Sequence, residues 1–169
     1  MEVVNTDICR MYQAYLLLGS NLGDREQFLN QAIERLGDLG RIQARSGRYE
    51  TAAWGRSDQP GFLNQALQLS TELEPEALLE SVLSIERKLG RERKERYGPR
   101  TLDIDILLFE DRIVQSETLT IPHPELPNRR FALTPLMEIA PQLLHPQLNQ
   151  SIQELFGICP DPLPVLLHP

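Results

Sequence analysis

The run GPRTLDIDILLF, residues 98–109, carries the groups best suited to chemistry. On a strand, successive side chains point to opposite faces, so Asp103 and Asp105 share one face while Ile104, Ile106 and Leu108 share the other. Two carboxylates at that spacing suit joint coordination of Mg²⁺, a hard cation that takes oxygen ligands and leaves room for substrate phosphates. A pair of metals about 3.5–4 Å apart could be bridged in the same way. The alternative is a solvated strand edge, with Asp alternating with Ile through amphipathicity alone. Aspartate is a poor strand former, so two in one strand interior need a reason.

The loop just before this run indicates a ligand class. Arg91, Arg93, Lys94, Arg96 and Arg100 are basic residues packed into one short stretch of a chain whose net charge is −7. Guanidinium groups bind phosphate oxygens as a fork and offset charge during transfer. A solvated charged loop has the same composition; beside Asp103 and Asp105 the loop reads as one side of a Mg–polyphosphate site. Two weaker clusters suggest a second ligand. Phe62 and Asn64 share a strand face, where a ring can stack on a flat heterocycle and an amide can hydrogen-bond it. A core phenylalanine beside an edge asparagine is the plainer reading. In the run IPHPELPNRRF, residues 121–131, prolines stiffen the loop and His123, Arg129 and Phe131 are the reaching groups. GSNLG at 19–23 reads as a turn, because it lacks the Gly-Lys-Ser/Thr ending of a P-loop. His145 and His168, near the end of the chain, are assigned no chemistry.

The elements that must position these groups follow from periodicity. Residues 14–18 form an apolar run suited to a buried strand. Asp24 can cap a helix whose stripe is Leu29, Ala32, Ile33 and Leu36. Residues 41–50 read as a strand of mixed polarity, 52–61 as a long loop and 62–71 as a strand. Pro75 suits the first turn of a helix that buries Leu78, Leu79, Val82, Ile85 and Leu89 and stops at Gly90. Residues 102–109 are a third clear strand. A short helix is expected from Thr134-Pro135 to about Pro141. The order strand, helix, strand, strand, helix, strand predicts an α+β, ferredoxin-like antiparallel sheet with helices packed on it. Residues 1–12 read as an N-terminal extension, 13–156 as the catalytic domain, and the proline-rich 157–169 as an extended tail.

Composition narrows the class. The 169 residues fit one domain with its own core. The acidic balance argues against a nucleic-acid binder. Two cysteines near opposite ends point to a reducing compartment, and no apolar run approaches the roughly 20 residues of a membrane span. The chain is read as cytoplasmic.

The run GPRTLDIDI at 98–106 resembles the signature of the 6-hydroxymethyl-7,8-dihydropterin pyrophosphokinases of folate biosynthesis. LGSNLG at 18–23, YET at 49–51, DQP at 58–60, FLN at 62–64, residues 86–93, and Pro122-His123 with Asn128-Arg129 fall in the expected order. The resemblance implies transfer of pyrophosphate from ATP to the pterin hydroxymethyl group, leaving AMP. It implies two Mg²⁺ ions on Asp103 and Asp105, with Arg91 and Arg100 stabilising the transferring group. Glu86, Arg93, Arg100, His123 and Arg129 would lie on the nucleotide. Thr51, Trp54, Phe62, Asn64 and Phe131 would hold the pterin, the two phenylalanines as a sandwich. The expected partners are these two substrates, with neither nucleic acid nor membrane, and the expected state is a monomer. The competing readings are a non-enzymatic ligand-sensing domain on the same scaffold and a different metal-dependent phosphotransferase or nuclease.

Overall fold

In the computed structural model, which describes residues 9–53, 58–91 and 98–169, the apolar run at 14–18 lies inside the strand Tyr12–Ser20 (β1). Its alternating side chains feed two cores: Ala14, Leu16 and Leu18 enter one, Tyr15 and Leu17 the other. Asp24 caps the helix Arg25–Gly37 (α1), its carboxylate accepting the Gln27 amide at 3.0 Å. Strands Gly40–Arg45 (β2), Tyr49–Thr51 (β3) and Phe62–Thr71 (β4) follow. The helix Pro75–Lys88 (α2) starts on its proline and stops before Gly90, whose φ of 85° favours a residue without Cβ. Asp103–Phe109 is the next strand (β5). A small ladder of Val114–Gln115 (β6) with Thr120–Ile121 (β7) leads through a 3₁₀ turn, Leu126–Asn128, into the helix Arg130–Ile139 (α3). The ladder of Leu144–His145 (β8) with Gln150–Ser151 (β9), the helix Ile152–Ile158 (α4) and the strand Val165–Leu167 (β10) come last.

The main sheet runs β10-β3-β4-β1-β5, with β2 also on β4, and every pairing is antiparallel. The α+β, ferredoxin-like arrangement is therefore present. The first core lies under α1 and α2, the second under α3 and α4, giving α–β–α layers. Leu16, Leu18, Leu67 and Leu69 are fully buried, each contributing about 2 kcal/mol. A one-residue slip of β1 would expel Leu16 and Leu18 from their core, so packing fixes the register that aligns the site.

Four details differ from the expectation. Leu108 does not share a face with Ile104 and Ile106. The β1–β5 ladder passes from Leu16–Ile106 to Tyr15–Leu108 and skips Leu107, a bulge that resets the alternation. Leu107 and Leu108 therefore both join the α3/α4 core. The strand expected over 41–50 is two strands on one neighbour, β4. The break falls where Glu138 of α3 accepts the Gly47 amide through both carboxylate oxygens, at 3.1 Å. Helix α3 starts at Arg130 rather than at Thr134, because Asp161 accepts the Arg130 amide at 3.1 Å and so caps it from the tail. The tail itself is more than extended: β10 pairs with β3 at the sheet edge.

Candidate active site

Register brings the two aspartates onto the α3/α4 face. Asp103 lies opposite Gly19 and Asp105 opposite Leu17. On the other side of β1, Gly19 lies opposite Asn64, and Thr51 of β3 lies opposite Phe62. These residues line a cleft of about 390 Å³, which also takes in Glu86, Arg91, Arg100, His123, Arg129 and Phe131. Every predicted site residue among the described ones thus converges on one cavity. Arg93 and Trp54 fall outside the described residues, as do Lys94 and Arg96.

One end of the cleft is a charge cluster. Asp103 receives Arg91 at 2.7 Å on Oδ1 and Arg100 at 3.0 Å on Oδ2. Arg91 also contacts Glu86 at 2.5 Å. Glu86, only 2% exposed, accepts the Ile104 amide at 2.8 Å. This bond matters because, among the described residues, β5 is the last strand of the sheet and its outward amides have no neighbouring strand. Glu86 thus ties α2 to the sheet edge and holds Arg91 over Asp103. Burial raises the Glu86 pKa, with the Asp103 charge adding to it against the Ile104 amide and Arg91.

Asp105 is the unsettled charge of the site. Burial, then the neighbouring Asp103 carboxylate, push its pKa up to about 7, against the pull of Arg129 and Arg100. Such a group needs a further cation to ionise at low cost.

The other end is shaped for a flat polar ligand. Asn64, 2% exposed, donates to Thr51 Oγ1 at 2.9 Å. A Cβ at Gly19 would lie 2.9 Å from Asn64 Oδ1 and 3.5 Å from the Phe62 ring, so only glycine lets the amide and ring settle there. Arg100 sits over Phe62 at 5.9 Å and Arg129 over Phe131 at 5.7 Å, linking each ring to the charged end.

His123 is fixed by its backbone and its ring. Its amide donates to the Leu107 carbonyl at 2.9 Å, and Nδ1 accepts the Glu125 amide at 3.2 Å. Burial and then Arg129 lower its pKa to about 4. The ring is therefore neutral near pH 7, and because Nδ1 is the acceptor its proton sits on Nε2. That makes His123 a hydrogen-bond donor rather than a cation.

Sequence reasoning passed over Asn21. It is 2% exposed, and its backbone amide and side-chain Oδ1 clamp the Arg100 carbonyl and amide at 3.2 and 2.9 Å. Its Nδ2 donates to Gln59 and to the Pro60 carbonyl, both at 3.0 Å. The turn at 19–23 therefore joins the two ends of the cleft. The available signal was a buried-type asparagine in a turn directly after an apolar strand.

The donor set fits a hard divalent cation. Asp103 and Asp105 offer carboxylate oxygens on one face, and burial together with the Asp103 charge holds Asp105 back from ionising. Among the described residues no group of three or more His, Cys, Asp or Glu gathers as an all-protein cage. Mg²⁺ is usually held by one or two carboxylates with phosphates completing the shell, and Asp103 and Asp105 are the carboxylates that would serve.

Comparison with known proteins adds independent findings. Residues 15–141 match the family model described as 7,8-dihydro-6-hydroxymethylpterin-pyrophosphokinase. A 2-amino-4-hydroxy-6-hydroxymethyldihydropteridine pyrophosphokinase of Methylorubrum extorquens is 49% identical over 136 residues, covering 79% of this chain and 86% of the relative. The enzyme of that name from Aquifex aeolicus is 41% identical over 144 residues, covering 85% and 90%. That from Haemophilus influenzae is 40% identical over 161 residues, covering 94% and 100%. A solved Plasmodium falciparum HPPK-DHPS chain superposes with a TM-score of 0.72 at 18% identity, covering 93% of this chain and 46% of that one. This chain thus spans under half of that solved protein, and the likeness shows a shared fold.

Proposed function

Because the chain belongs to the 7,8-dihydro-6-hydroxymethylpterin-pyrophosphokinase family, we propose that its cleft transfers pyrophosphate from ATP to 6-hydroxymethyl-7,8-dihydropterin, as a step of folate biosynthesis. The observation that carries this reading is one cavity with a carboxylate–arginine end and an aromatic–amide end. In the reaction the pterin hydroxyl oxygen bonds to the β-phosphorus of ATP, the bond from that phosphorus to the α-phosphate oxygen breaks, and AMP leaves. The hydroxyl proton is lost as the new bond forms.

Phe62, Phe131, Asn64 and Thr51 bind and orient the pterin, with Trp54 assigned to the same group by family likeness. Asp103 and Asp105 would hold two Mg²⁺ ions, which would supply positive charge to the triphosphate. Arg91 and Arg100, both paired with Asp103, are the cations at hand for the transferring phosphates. Their fork geometry offsets the charge that develops there. His123 donates from Nε2 to a phosphate oxygen, and Arg129 with Arg93 completes the nucleotide side. Glu86 serves the nucleotide indirectly, through Arg91 and the Ile104 amide.

The working unit in this reading is a monomer. The same reading puts this work in the cytoplasm; no helix among the described residues is long and apolar enough to cross a membrane.

The test is product analysis with labelled ATP, Mg²⁺ and the reduced hydroxymethyl pterin. AMP and pterin pyrophosphate are expected in equal amounts; ADP as the only nucleotide product would overturn the reading. Asp103→Ala and Asp105→Ala should each lower turnover at least about 100-fold while the far-ultraviolet circular dichroism stays unchanged.

A further inference from the structure

The family match ends at residue 141, yet the chain beyond it returns to the cleft. Asp161 is its first anchor. Its carboxylate accepts the Arg130 amide at 3.1 Å, and the Arg130 side chain donates to the carbonyls of Asp161 and Cys159 at 2.9 and 3.0 Å. The chain then forms β10, with Val165 opposite Thr51 and Leu167 opposite Tyr49. His168 ends the strap. Its amide donates to the Arg48 carbonyl at 2.8 Å. Its ring lies between two carboxylates, with Nε2 2.8 Å from Glu26 and Nδ1 3.3 Å from Glu50. Glu50 also holds Arg25 at 2.7 Å, and the same Arg25 nitrogen donates to the Gly61 carbonyl at 3.0 Å.

These contacts end on the two residues that carry the aromatic–amide end of the cleft. Thr51 accepts the Asn64 side chain, and Gly61 directly precedes Phe62. The two backbones are so close that a Cβ on Gly61 would lie 2.9 Å from the Thr51 carbonyl oxygen. A strand added for core stability would bury its side chains. In β10, Leu166 and Leu167 are 64% and 66% exposed, so its contribution is made through backbone pairing and the His168 ring.

We infer that β10 and His168 are positioning elements for the pterin half of the cleft, holding Thr51, Gly61 and hence Asn64 and Phe62 in place through the Glu26–His168–Glu50–Arg25 chain. The inference rests on the function proposed above and adds residues that lie outside the family match and touch no substrate. Among the described residues the nucleotide end is built on α2 and β5 instead, and it serves as the internal control.

The experiment compares wild type with His168→Ala, His168→Arg and a chain lacking residues 165–169. The Asp161 anchor lies upstream of the deletion and is retained. Steady-state kinetics should show the pterin KM rising about tenfold in His168→Ala and in the deletion, with the ATP KM within about twofold of wild type. His168→Arg, which again places N–H donors between Glu26 and Glu50, should recover most of the loss. Amide hydrogen exchange at Tyr49, Thr51 and Asn64 should quicken in His168→Ala and in the deletion. An unchanged pterin KM, or equal rises in both KM values, would overturn the inference; so would an Arg variant as impaired as the Ala variant. If the wild-type chain makes no AMP, the functional reading fails instead. The exchange rates at Thr51 and Asn64 then decide the positioning claim alone: faster exchange supports it and unchanged exchange refutes it.

Discussion

Replacing Asp105 with asparagine should make the ligand-free protein more stable while removing its activity. The pKa of Asp105 moves from 3.8 to about 7, chiefly through burial and then the Asp103 charge. With the folded-state value above the unfolded one, the carboxyl favours the folded chain only while protonated. That stabilisation is complete below about pH 4 and is lost as the pH rises through 7. At 1.36 kcal/mol per unit the upper bound is about 4 kcal/mol. Because the carboxylate faces an open cleft, about 2 kcal/mol is the working figure. For a chain of this size that is about 4–8 °C in Tm. His123 acts in the opposite sense: lowered from 6.5 to about 4, it makes stability rise with pH across that interval. Taking the Tm difference between Asp105→Asn and wild type at each pH cancels that contribution. The assay is a thermal melt without metal from about pH 5 to pH 8. The difference should be less than half its full size at the acid end and reach its full size at the alkaline end. Saturating Mg²⁺ and ATP should then reverse the order, since a ligand at 100 times its Kd adds about 2.7 kcal/mol to wild type alone. A variant no more stable than wild type at pH 8, or a difference independent of pH, would refute the account of Asp105.

Glu86→Ala should destabilise the fold by about 3 kcal/mol in urea titration, because it strands the Ile104 amide and leaves Arg91 facing only Asp103. Gly19→Ala should raise the pterin KM more than the ATP KM, since its Cβ would meet Asn64 at 2.9 Å; equal effects on both would count against the assigned pterin end. His123→Gln should lower kcat/KM by about tenfold without changing the shape of its pH profile between about pH 5.5 and 8. A ring held at about 4 contributes no ionisation there, and the disappearance of an inflection near 6.5 in the variant would contradict that placement.

Much of the site was legible because period-two alternation on a strand is a strong constraint. It put Asp103 and Asp105 on one face and Phe62 with Asn64 on another strand's matching face, and the register joins both faces through Gly19. Asp24, Pro75 and Gly90 announced their helix ends because capping is local chemistry. What stayed hidden depends on distant partners. The start of α3 at Arg130 is set by Asp161, 31 residues away in sequence. The break between β2 and β3 is set by Glu138, 91 residues from Gly47. The prolines around 160–164 hid β10, since they exclude a central strand and permit an edge one. The bulge at Leu107 left no mark in composition.

That bulge has an engineering consequence. Upstream of it, the phase of β5 answers to Gly19 and Leu17 and presents the aspartates; downstream, it answers to packing, with Leu108 in one core and Phe109 in the other. The skipped residue works as a clutch between two gears. A designer can vary the volumes at 108 and 109 to tune robustness while the carboxylate pair keeps its orientation. Removing one residue at the bulge would couple the two halves, and the chain would then have to choose between facing its aspartates into the cleft and burying its leucines.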